Sequence, residues 1–289
     1  MLAEFKEKPY ETAFVGELRL RTNAIYAPDQ CDEGFLGFDA SAFIQWKDLL
    51  PFSPYMRRAR WHHLVGISAS EIDRFGQRLN DRLPPFRLNF FAQFKRPHYL
   101  TDNSAKEWST WNQNYFRYSV PMKQQKLLRK IIDKGAGRTL VVYAAAAFHT
   151  NNEFFTHLAS DGIIDHSNIA SAAMLDGHTR FTYAQAGNCG TGHSEPEDLQ
   201  SPTLQELLAG NDEATPRPFT QHIKATADLI KTVVEDDDER RNTLSLARQA
   251  ILGGGIEDTN PRVAGSWLDA AITMAAFSTA FDVRVCAIA

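Results

Sequence analysis

The sequence is poor in cysteine, and its few cysteines are placed where neither a disulfide framework nor a zinc site is expected. Cys31, Cys189 and Cys286 are the three cysteines among 289 residues, and they include no CxxC pair. An odd number of widely spaced cysteines is typical of reduced, mostly buried thiols. We therefore expect a cytoplasmic protein.

The chain also lacks a targeting signal and an apolar run of membrane length. Its first residues, MLAEFKEKPYETAF, contain no basic region followed by an apolar stretch, so we expect no signal peptide. The most apolar segment, 270–280, is interrupted by Thr and Ser and flanked by Asp269 and Asp282. It is too short to span a bilayer, and we interpret it as a buried helix.

Positive charge is not in excess. The formal net charge is -4, which argues against a protein that coats nucleic acid through bulk charge. Basic residues are nevertheless concentrated at 56–63, 93–98 and 123–130, and acidic residues at 235–239. This segregation is compatible with a phosphate-binding face, whereas an ordinary solvated surface explains any one segment equally well.

The sequence does contain alternating helical and strand-like patterns, which predict an α/β fold. In chain order we expect an amphipathic helix at 3–22, a hairpin or bent strand at 34–44, a helix-containing insertion at about 45–85, a strand at 86–97, a helix at about 122–134 and a buried strand at 139–147. The strand–helix–strand crossover predicts that the last two strands are parallel.

The remainder is irregular to about residue 200 and mostly helical afterwards. We expect helices at about 202–208, 220–234, 238–252 and 267–281, followed by a terminal strand at 282–289. The sequence therefore predicts a core domain at 1–150 and a mostly helical C-terminal portion at 151–289 packed against it.

Asp39 in the hairpin pattern and the pair Gln93 and Lys95 in the next strand suit the cleavage of a phosphodiester. That reaction needs an activated water, neutralisation of charge on the phosphorane and stabilisation of the leaving oxygen. One or two Mg²⁺ ions bound by carboxylate and carbonyl oxygens can serve all three needs. Because positions i and i+2 of a strand share a face, Gln93 and Lys95 should converge, and Asp39 is expected to meet them.

These residues, in LGFDAS and FFAQFKRP, resemble the signature of the PD-(D/E)XK nuclease superfamily, whose core runs α-β-β-β-α-β in a mixed sheet. The Q-x-K variant is similar to Mrr-like restriction endonucleases, in which glutamine replaces the second carboxylate. Glu17 on the first helix corresponds to the accessory acid of some branches. The resemblance covers 3–147. The separation of Asp39 from Gln93, 93 − 39 = 54 positions, exceeds that of compact members and implies an insertion.

The resemblance implies a restriction-endonuclease-like enzyme that hydrolyses nucleic acid, DNA rather than RNA, with Mg²⁺ or Mn²⁺ as cofactor. The metal ligands would be Asp39, Gln93 and Glu17, and Lys95 would orient the attacking water and stabilise the pentacovalent phosphate. The implied substrate-binding residues are Arg57, Arg58, Arg60, Arg96 and Gln124. A role in restriction or antiviral defence is also implied, and a second copy or a partner subunit stays an open alternative.

Two alternatives come from other classes of function. A glutamine in place of the second carboxylate is compatible with a nuclease fold whose chemistry has lapsed and which binds nucleic acid or a partner protein. The other alternative is a metalloenzyme built on histidine, because five histidines fall within one 45-residue window. These are His149, His157, His166, His178 and His193.

Overall fold

The described part of the protein is a mixed α/β structure with two five-stranded sheets. The computed structural model describes residues 1–28, 69–135, 137–210, 214–251 and 264–289, and the structural statements below concern these ranges. The predicted hairpin at 34–44 and most of the predicted insertion lie outside them.

The helices and strands are labelled in chain order. The helices are α1 (Glu7–Leu20), α2 (Ala69–Arg82), α3 (Trp108–Trp111), α4 (Met122–Lys134), α5 (Asn151–Ala159), α6 (Leu204–Ala209), α7 (Phe219–Val234), α8 (Asp238–Ile251) and α9 (Trp267–Phe281). The strands are β1 (Ile25–Tyr26), β2 (Leu88–Lys95), β3 (His98–Leu100), β4 (Tyr115–Ser119), β5 (Thr139–Ala146), β6 (Ser167–Ser171), β7 (Arg180–Tyr183), β8 (Cys189–His193), β9 (Glu197–Gln200) and β10 (Arg284–Ile288).

The chain forms two compact units whose segments are interleaved along the sequence. Unit 1 comprises Met1–Arg21, Ala92–Asp133 and Leu140–Asn211, and unit 2 comprises Thr22–Phe91, Lys134–Thr139 and Asp212–Ala289. The domain boundary expected at residue 150 stays a prediction. Periodicity along the chain cannot reveal such interleaving, because it depends on which distant segments pack together.

The first sheet has the strand order β1-β10-β2-β5-β6. In unit 1, β5 pairs antiparallel with β6, with Val142 opposite Ser171. In unit 2, β1 pairs antiparallel with β10. The predicted burial of the strand at 139–147 is confirmed, since every residue from Leu140 to Ala146 is buried. The predicted terminal strand is confirmed as well. The parallel orientation of β2 and β5 stays a prediction.

The second sheet is antiparallel, has the order β3-β4-β7-β8-β9 and belongs to unit 1. Three of its strands fall in the stretch that the sequence left irregular. The reason is visible in β8, where Gly190 and Gly192 give no strand signal. A Cβ at Gly190 would lie 2.3 Å from the ring of Phe181, and one at Gly192 would lie 2.7 Å from the ring of His178. Close packing therefore requires glycine here, against strand propensity.

Unit 2 contains three of the four helices that the sequence predicted after residue 200, namely α7, α8 and α9, whereas α6 lies in unit 1. Almost the whole of α9 is buried, and its Trp267 contacts Phe75 of α2 and Phe219 of α7 at ring-centroid distances of 5.4 and 5.9 Å. This explains why the segment is apolar on most sides instead of amphipathic. Among the helices in the described ranges, none has the length and apolar character required to cross a bilayer.

Candidate active site on strand β2

The site is built on β2, whose alternating side chains point to two faces. Phe94 lies on one face, where Tyr10 and Phe14 of α1 pack against it at ring-centroid distances of 5.7 and 5.2 Å. Gln93 and Lys95 have the opposite parity and therefore lie on the other face. One face of β2 thus anchors α1 through aromatic packing, and the other presents two polar side chains.

Gln124 of α4 contacts both of these polar side chains. Its amide nitrogen donates to Oε1 of Gln93, and its own Oε1 accepts a hydrogen bond of 3.3 Å from Nζ of Lys95. Gln93 is fully buried and also donates from Nε2 to the carbonyl of Phe94 at 3.2 Å. The expected convergence of Gln93 and Lys95 is therefore present, and a single amide from the next helix links them.

Tyr143 of β5 lies beneath the ammonium group of Lys95. Nζ is 5.8 Å from the centroid of the ring, a distance at which a cation is attracted by the negative face of an aromatic ring. The ring of Tyr118 stacks on that of Tyr143 with centroids 5.9 Å apart. Burial, followed by the charge of Asp176, raises the pKa of Tyr143, so its hydroxyl is neutral.

Gln125, the neighbour of Gln124 on α4, holds Tyr143 in place. Its Oε1 accepts a hydrogen bond of 3.0 Å from the tyrosine hydroxyl, and its Nε2 donates to the carbonyl of Ala172 at 2.7 Å and to Asp176 at 2.6 Å. The two adjacent glutamines thus make different contacts. Gln124 contacts Gln93 and Lys95, whereas Gln125 holds the ring of Tyr143 in place.

Sequence reasoning did not single out Tyr143. The residue stands in TLVVYAAA, a run whose uniform apolarity predicts a buried strand and little else. The available signal was the tyrosine itself, because a buried tyrosine hydroxyl requires a hydrogen-bond partner. Nothing in the run indicated that the partner is Gln125 or that the ring faces Lys95.

Glu17 is buried on α1 and is held by two groups. Oε1 forms an ion pair with Arg21 at 2.5 Å, and Oε2 accepts a hydrogen bond of 3.0 Å from the backbone N–H of Ile164. These contacts connect the end of α1 to the segment that precedes β6. They give the carboxylate a structural role, and its predicted part in metal binding stays a prediction.

Arg96 follows β2 and contacts the N-terminal segment. Its guanidinium donates to the carbonyl of Ala3 at 2.8 Å and to that of Glu4 at 3.2 Å, and its backbone N–H donates to Glu7 at 3.0 Å. The side chain thus joins the end of β2 to the residues that lead into α1. Its predicted contact with substrate stays a prediction.

The other site residues expected from the sequence lie outside the described residues. They are Asp39, Arg57, Arg58 and Arg60. The proximity of Asp39 to Gln93 and Lys95 accordingly stays a prediction.

The structure distributes the five histidines of the alternative metal site over different surroundings. The rings of His157 and His166 stack with centroids 3.7 Å apart, and that of His149 stacks on Tyr99. Nε2 of His193 lies 2.8 Å from the hydroxyl of Thr182, whereas His178 faces Glu197 at 3.5 Å. Within the described ranges, no three His, Cys, Asp or Glu residues are grouped so as to hold a metal ion.

The β2 site nevertheless provides one oxygen atom that could bind a hard cation. The Oε1 atom of Gln93 is a neutral oxygen of the kind that Mg²⁺ and Mn²⁺ accept, and it is buried and fixed in direction. A neutral oxygen alone does not compensate a divalent charge. A cation held by Gln93 would therefore require a carboxylate, and Asp39 is the residue that the sequence pattern provides.

No family model, no curated protein and no solved structure matches the chain.

Proposed function

We propose that the protein is a metal-dependent nuclease that hydrolyses phosphodiester bonds, with DNA as the substrate. The observation that supports this most is the joint placement of Gln93 and Lys95 on one face of β2, linked through Gln124. A fully buried glutamine in a strand with three phenylalanines is costly unless its polar atoms have partners or a function. Because Lys95 lies next to Gln93, an oxygen that could bind a metal ion and a positively charged group lie close together.

Each residue then has a distinct role. Asp39 and the amide oxygen of Gln93 would bind Mg²⁺ or Mn²⁺, which supplies an activated water and charge neutralisation when bound. Lys95 would contribute a fixed positive charge where negative charge develops on the phosphate. Gln124 would keep Lys95 directed at that point, and Glu17 would be an accessory acid. A role in restriction or antiviral defence is part of the same proposal.

The competing function is a nuclease fold that binds nucleic acid or a partner protein without cleaving it. The contact that favours it is the hydrogen bond from Gln124 to Gln93, because it occupies the oxygen that a metal ion would need. Catalysis therefore requires the amide of Gln124 to yield Gln93 Oε1 to the metal. A protein that only binds would keep this hydrogen bond.

The test is incubation of the purified chain with plasmid and with single-stranded DNA, in Mg²⁺, in Mn²⁺ and in EDTA. We expect cleavage with either cation and none in EDTA. Asp39→Ala should abolish cleavage, because it removes the charged ligand. Lys8→Ala is the control, since Lys8 pairs with Glu11 on α1 and has no place in the site. Cleavage by Asp39→Ala at the wild-type rate would make the proposed active site wrong.

A further inference from the structure

The second sheet of unit 1 has an aromatic face and a polar face. Tyr118 of β4 lies opposite Phe181 of β7, and the two buried rings are in contact with centroids 5.4 Å apart. Side chains alternate along a strand, so the neighbours of these residues lie on the other face. Arg117 precedes Tyr118 and Arg180 precedes Phe181. The two arginines therefore lie together on the polar face of the sheet.

The carboxylate of Glu107, just before α3, holds both arginines. Its Oε2 accepts hydrogen bonds of 3.0 Å from Nη1 of Arg117 and 3.2 Å from the hydroxyl of Tyr115. Its Oε1 accepts one of 3.0 Å from Nε of Arg180. The carboxylate is 3% exposed, and although burial opposes it, the hydrogen bonds from Arg117 and Arg180 hold the pKa of Glu107 below its ordinary value. The two guanidiniums are thus fixed side by side around one ionised carboxylate.

This cluster has more positive charge than Glu107 can compensate. Two guanidiniums against one carboxylate leave a net positive charge, and the side chains of Arg117 and Arg180 are only 28% and 29% exposed. Among the residues that the structure describes, neither arginine forms an ion pair with another carboxylate. An excess charge that is partly removed from water is costly. One arginine would be enough for Glu107, so the second favours a negatively charged ligand.

Both arginines also have hydrogen-bond donors left over. Arg117 uses Nη1 and Arg180 uses Nε for Glu107, and the other guanidinium nitrogens have no partner in the described part of the chain. A guanidinium presents its N–H groups in a planar fork that matches the oxygens of a phosphate. A phosphate has more oxygens than a carboxylate and can accept from both forks at once. The arrangement therefore favours a phosphate as the ligand.

Two histidines beside the arginines are affected by the same positive charge. His193 of β8 lies opposite Arg180, and His98 of β3 lies opposite Arg117. Burial lowers the pKa of His193, Glu107 opposes this effect, and Arg180 lowers the pKa further. Burial and the charge of Arg117 lower the pKa of His98. Both imidazoles are accordingly neutral at pH 7, and the arginines supply the positive charge of this face.

An indole ring lies on the same face. Nε1 of Trp111 in α3 donates a hydrogen bond of 3.0 Å to the hydroxyl of Thr182, which lies opposite Arg117 in the sheet. Trp111 is half-buried, so part of its surface is accessible. Nucleic-acid bases stack on accessible aromatic rings. A ring beside two arginines is therefore suited to a base that is attached to the bound phosphate.

We infer that Arg117 and Arg180 form a binding site for a phosphate group, and that Glu107 fixes the two guanidiniums in position. The phosphate belongs to a nucleotide or to the backbone of a nucleic acid, and the chemistry of its recognition is the same in both. The site shares no residue with the β2 site. The inference does not rest on the proposed function, because binding of a phosphate requires neither a metal ion nor cleavage.

The experiment is isothermal titration calorimetry of the full chain in EDTA at constant ionic strength. The probes are inorganic phosphate, thymidine 5′-monophosphate, thymidine and an oligothymidylate of about ten nucleotides. We expect saturable binding of inorganic phosphate and no binding of thymidine. Tighter binding of the monophosphate than of inorganic phosphate assigns a nucleotide, and still tighter binding of the oligothymidylate assigns a nucleic-acid backbone. A wild-type chain that binds none of the three phosphate-containing probes would overturn the inference.

The variant Glu107→Gln/Arg117→Gln/Arg180→Gln locates the bound phosphate. It removes the whole cluster, so no member is left as an unpaired buried charge, and its net charge is −4 + 1 − 2 = −5. We expect its affinity for inorganic phosphate to be at least about tenfold weaker than that of wild type, since it loses both charge-assisted forks. An affinity equal to that of wild type would mean that the phosphate binds elsewhere, and the inference would fail.

The matched control is Lys224→Gln/Asp238→Asn/Arg241→Gln. It removes an exposed lysine and the exposed ion pair of Asp238 with Arg241, all in unit 2, and it has the same net charge of −4 + 1 − 2 = −5. We expect it to bind inorganic phosphate with the wild-type affinity. A loss as large as that of the cluster variant would show a general effect of charge and contradict the proposed site.

If the triple variant does not fold, Arg180→Gln serves instead. Glu107 then keeps its contacts with Arg117 and Tyr115, so its carboxylate stays paired. We expect a folded protein whose affinity for inorganic phosphate is at least about fivefold weaker, because one of the two forks is lost. Lys224→Gln has the same net charge and is the control. Equal affinities of these two single variants would overturn the inference.

Discussion

Strand β2 carries two polar clusters, one in each unit, and they differ in a way that separates structure from function. In unit 2, Oδ1 of Asn89 accepts hydrogen bonds from His222 at 2.8 Å and Thr226 at 2.7 Å. All three residues are buried. In unit 1, Gln93 and Lys95 share Gln124, and the lysine is partly exposed. Both clusters place polar atoms on the same strand, but only the second contains a charge that solvent can reach.

The comparison teaches that a polar residue in an apolar strand does not by itself mark an active site. Asn89 and Gln93 are equally unexpected in LNFFAQFK. The difference lies in what surrounds each one. Neutral donors surround Asn89 and give it a structural explanation, because a buried amide with partners stabilises one packing arrangement. A charged, partly exposed lysine beside Gln93 makes chemistry with a ligand possible.

The largest expected effect on the cleavage rate tests the catalytic side of the comparison. Lys95→Ala should lower the cleavage rate by ~10² or more, about 2.7 kcal/mol, the amount lost with one electrostatic stabiliser. DNA affinity should fall far less, since other cations share backbone attraction, and its salt slope should change by only about one contact. Rate and affinity are measured on one substrate. Equal losses would make Lys95 a binding residue and leave the catalytic lysine unidentified.

The buried cluster of Asn89, His222 and Thr226 predicts that the stability of the protein depends on pH. Burial, followed by the charges of Arg217 and Arg138, lowers the pKa of His222 from 6.5 to about 4. The unfolded chain therefore binds a proton between these values while the folded chain does not. The contribution of His222 is fully present above pH 6.5 and declines as the pH falls towards 4, by about 3 kcal/mol in total.

The measurement is the free energy of unfolding by urea at several pH values, for wild type and for His222→Gln. The variant cannot titrate at this position, so its decline between pH 6.5 and pH 4 should be smaller than that of wild type. Parallel curves for the two proteins would contradict the assigned burial of a neutral imidazole.

A substitution of Asn89 should lower the stability of the protein and leave the cleavage rate unchanged. Asn89→Ala removes the acceptor for His222 and Thr226. The imidazole of His222 then lacks this partner, whereas the hydroxyl of Thr226 can donate to the carbonyl of His222, which lies 2.9 Å away. An unsatisfied buried donor costs about 1–3 kcal/mol, so we expect a decrease of about 2 kcal/mol in the free energy of unfolding. Thr226→Val removes one donor and should cost less. A tenfold fall in the cleavage rate of a folded Asn89→Ala protein would contradict the purely structural role of the Asn89 cluster, because Asn89 would then belong to the active site.

The sequence predicted much of the local structure and part of the candidate site. Helix α4 lies at Met122–Lys134, as expected, because its apolar positions recur with helical period and glycines follow it. The convergence of Gln93 and Lys95 followed from strand geometry alone. The mixed α/β class was also expected, whereas the membership of the nuclease superfamily stays a prediction.

Other features were not predictable because they depend on contacts between distant segments. Strand β8 of the second sheet was missed, since Gly190 and Gly192 are present for close packing against Phe181 and His178 and not for strand propensity. The difference between Gln124 and Gln125 was not visible either. Adjacent helical residues lie about 100° apart, and only the position of Tyr143 and Asp176 decides which one is structural.

The smallest expected effect concerns the ring beneath Lys95 and distinguishes positioning from packing. Tyr143→Leu removes the aromatic face while keeping an apolar side chain, and we expect the turnover number to fall about tenfold, within the range of a cation–π contact. Tyr143→Phe keeps the ring and loses the hydrogen bond to Gln125, so it should cost about 1 kcal/mol of stability but retain nearly the wild-type turnover. The Michaelis constant should change little in both, because neither change removes a positive charge from the protein. Steady-state cleavage and urea unfolding of the two variants decide the question. If the turnover number of Tyr143→Phe is as low as that of Tyr143→Leu, the hydroxyl and its hydrogen bond to Gln125 matter more than the ring. Tyr143 then supports the fold instead of positioning Lys95.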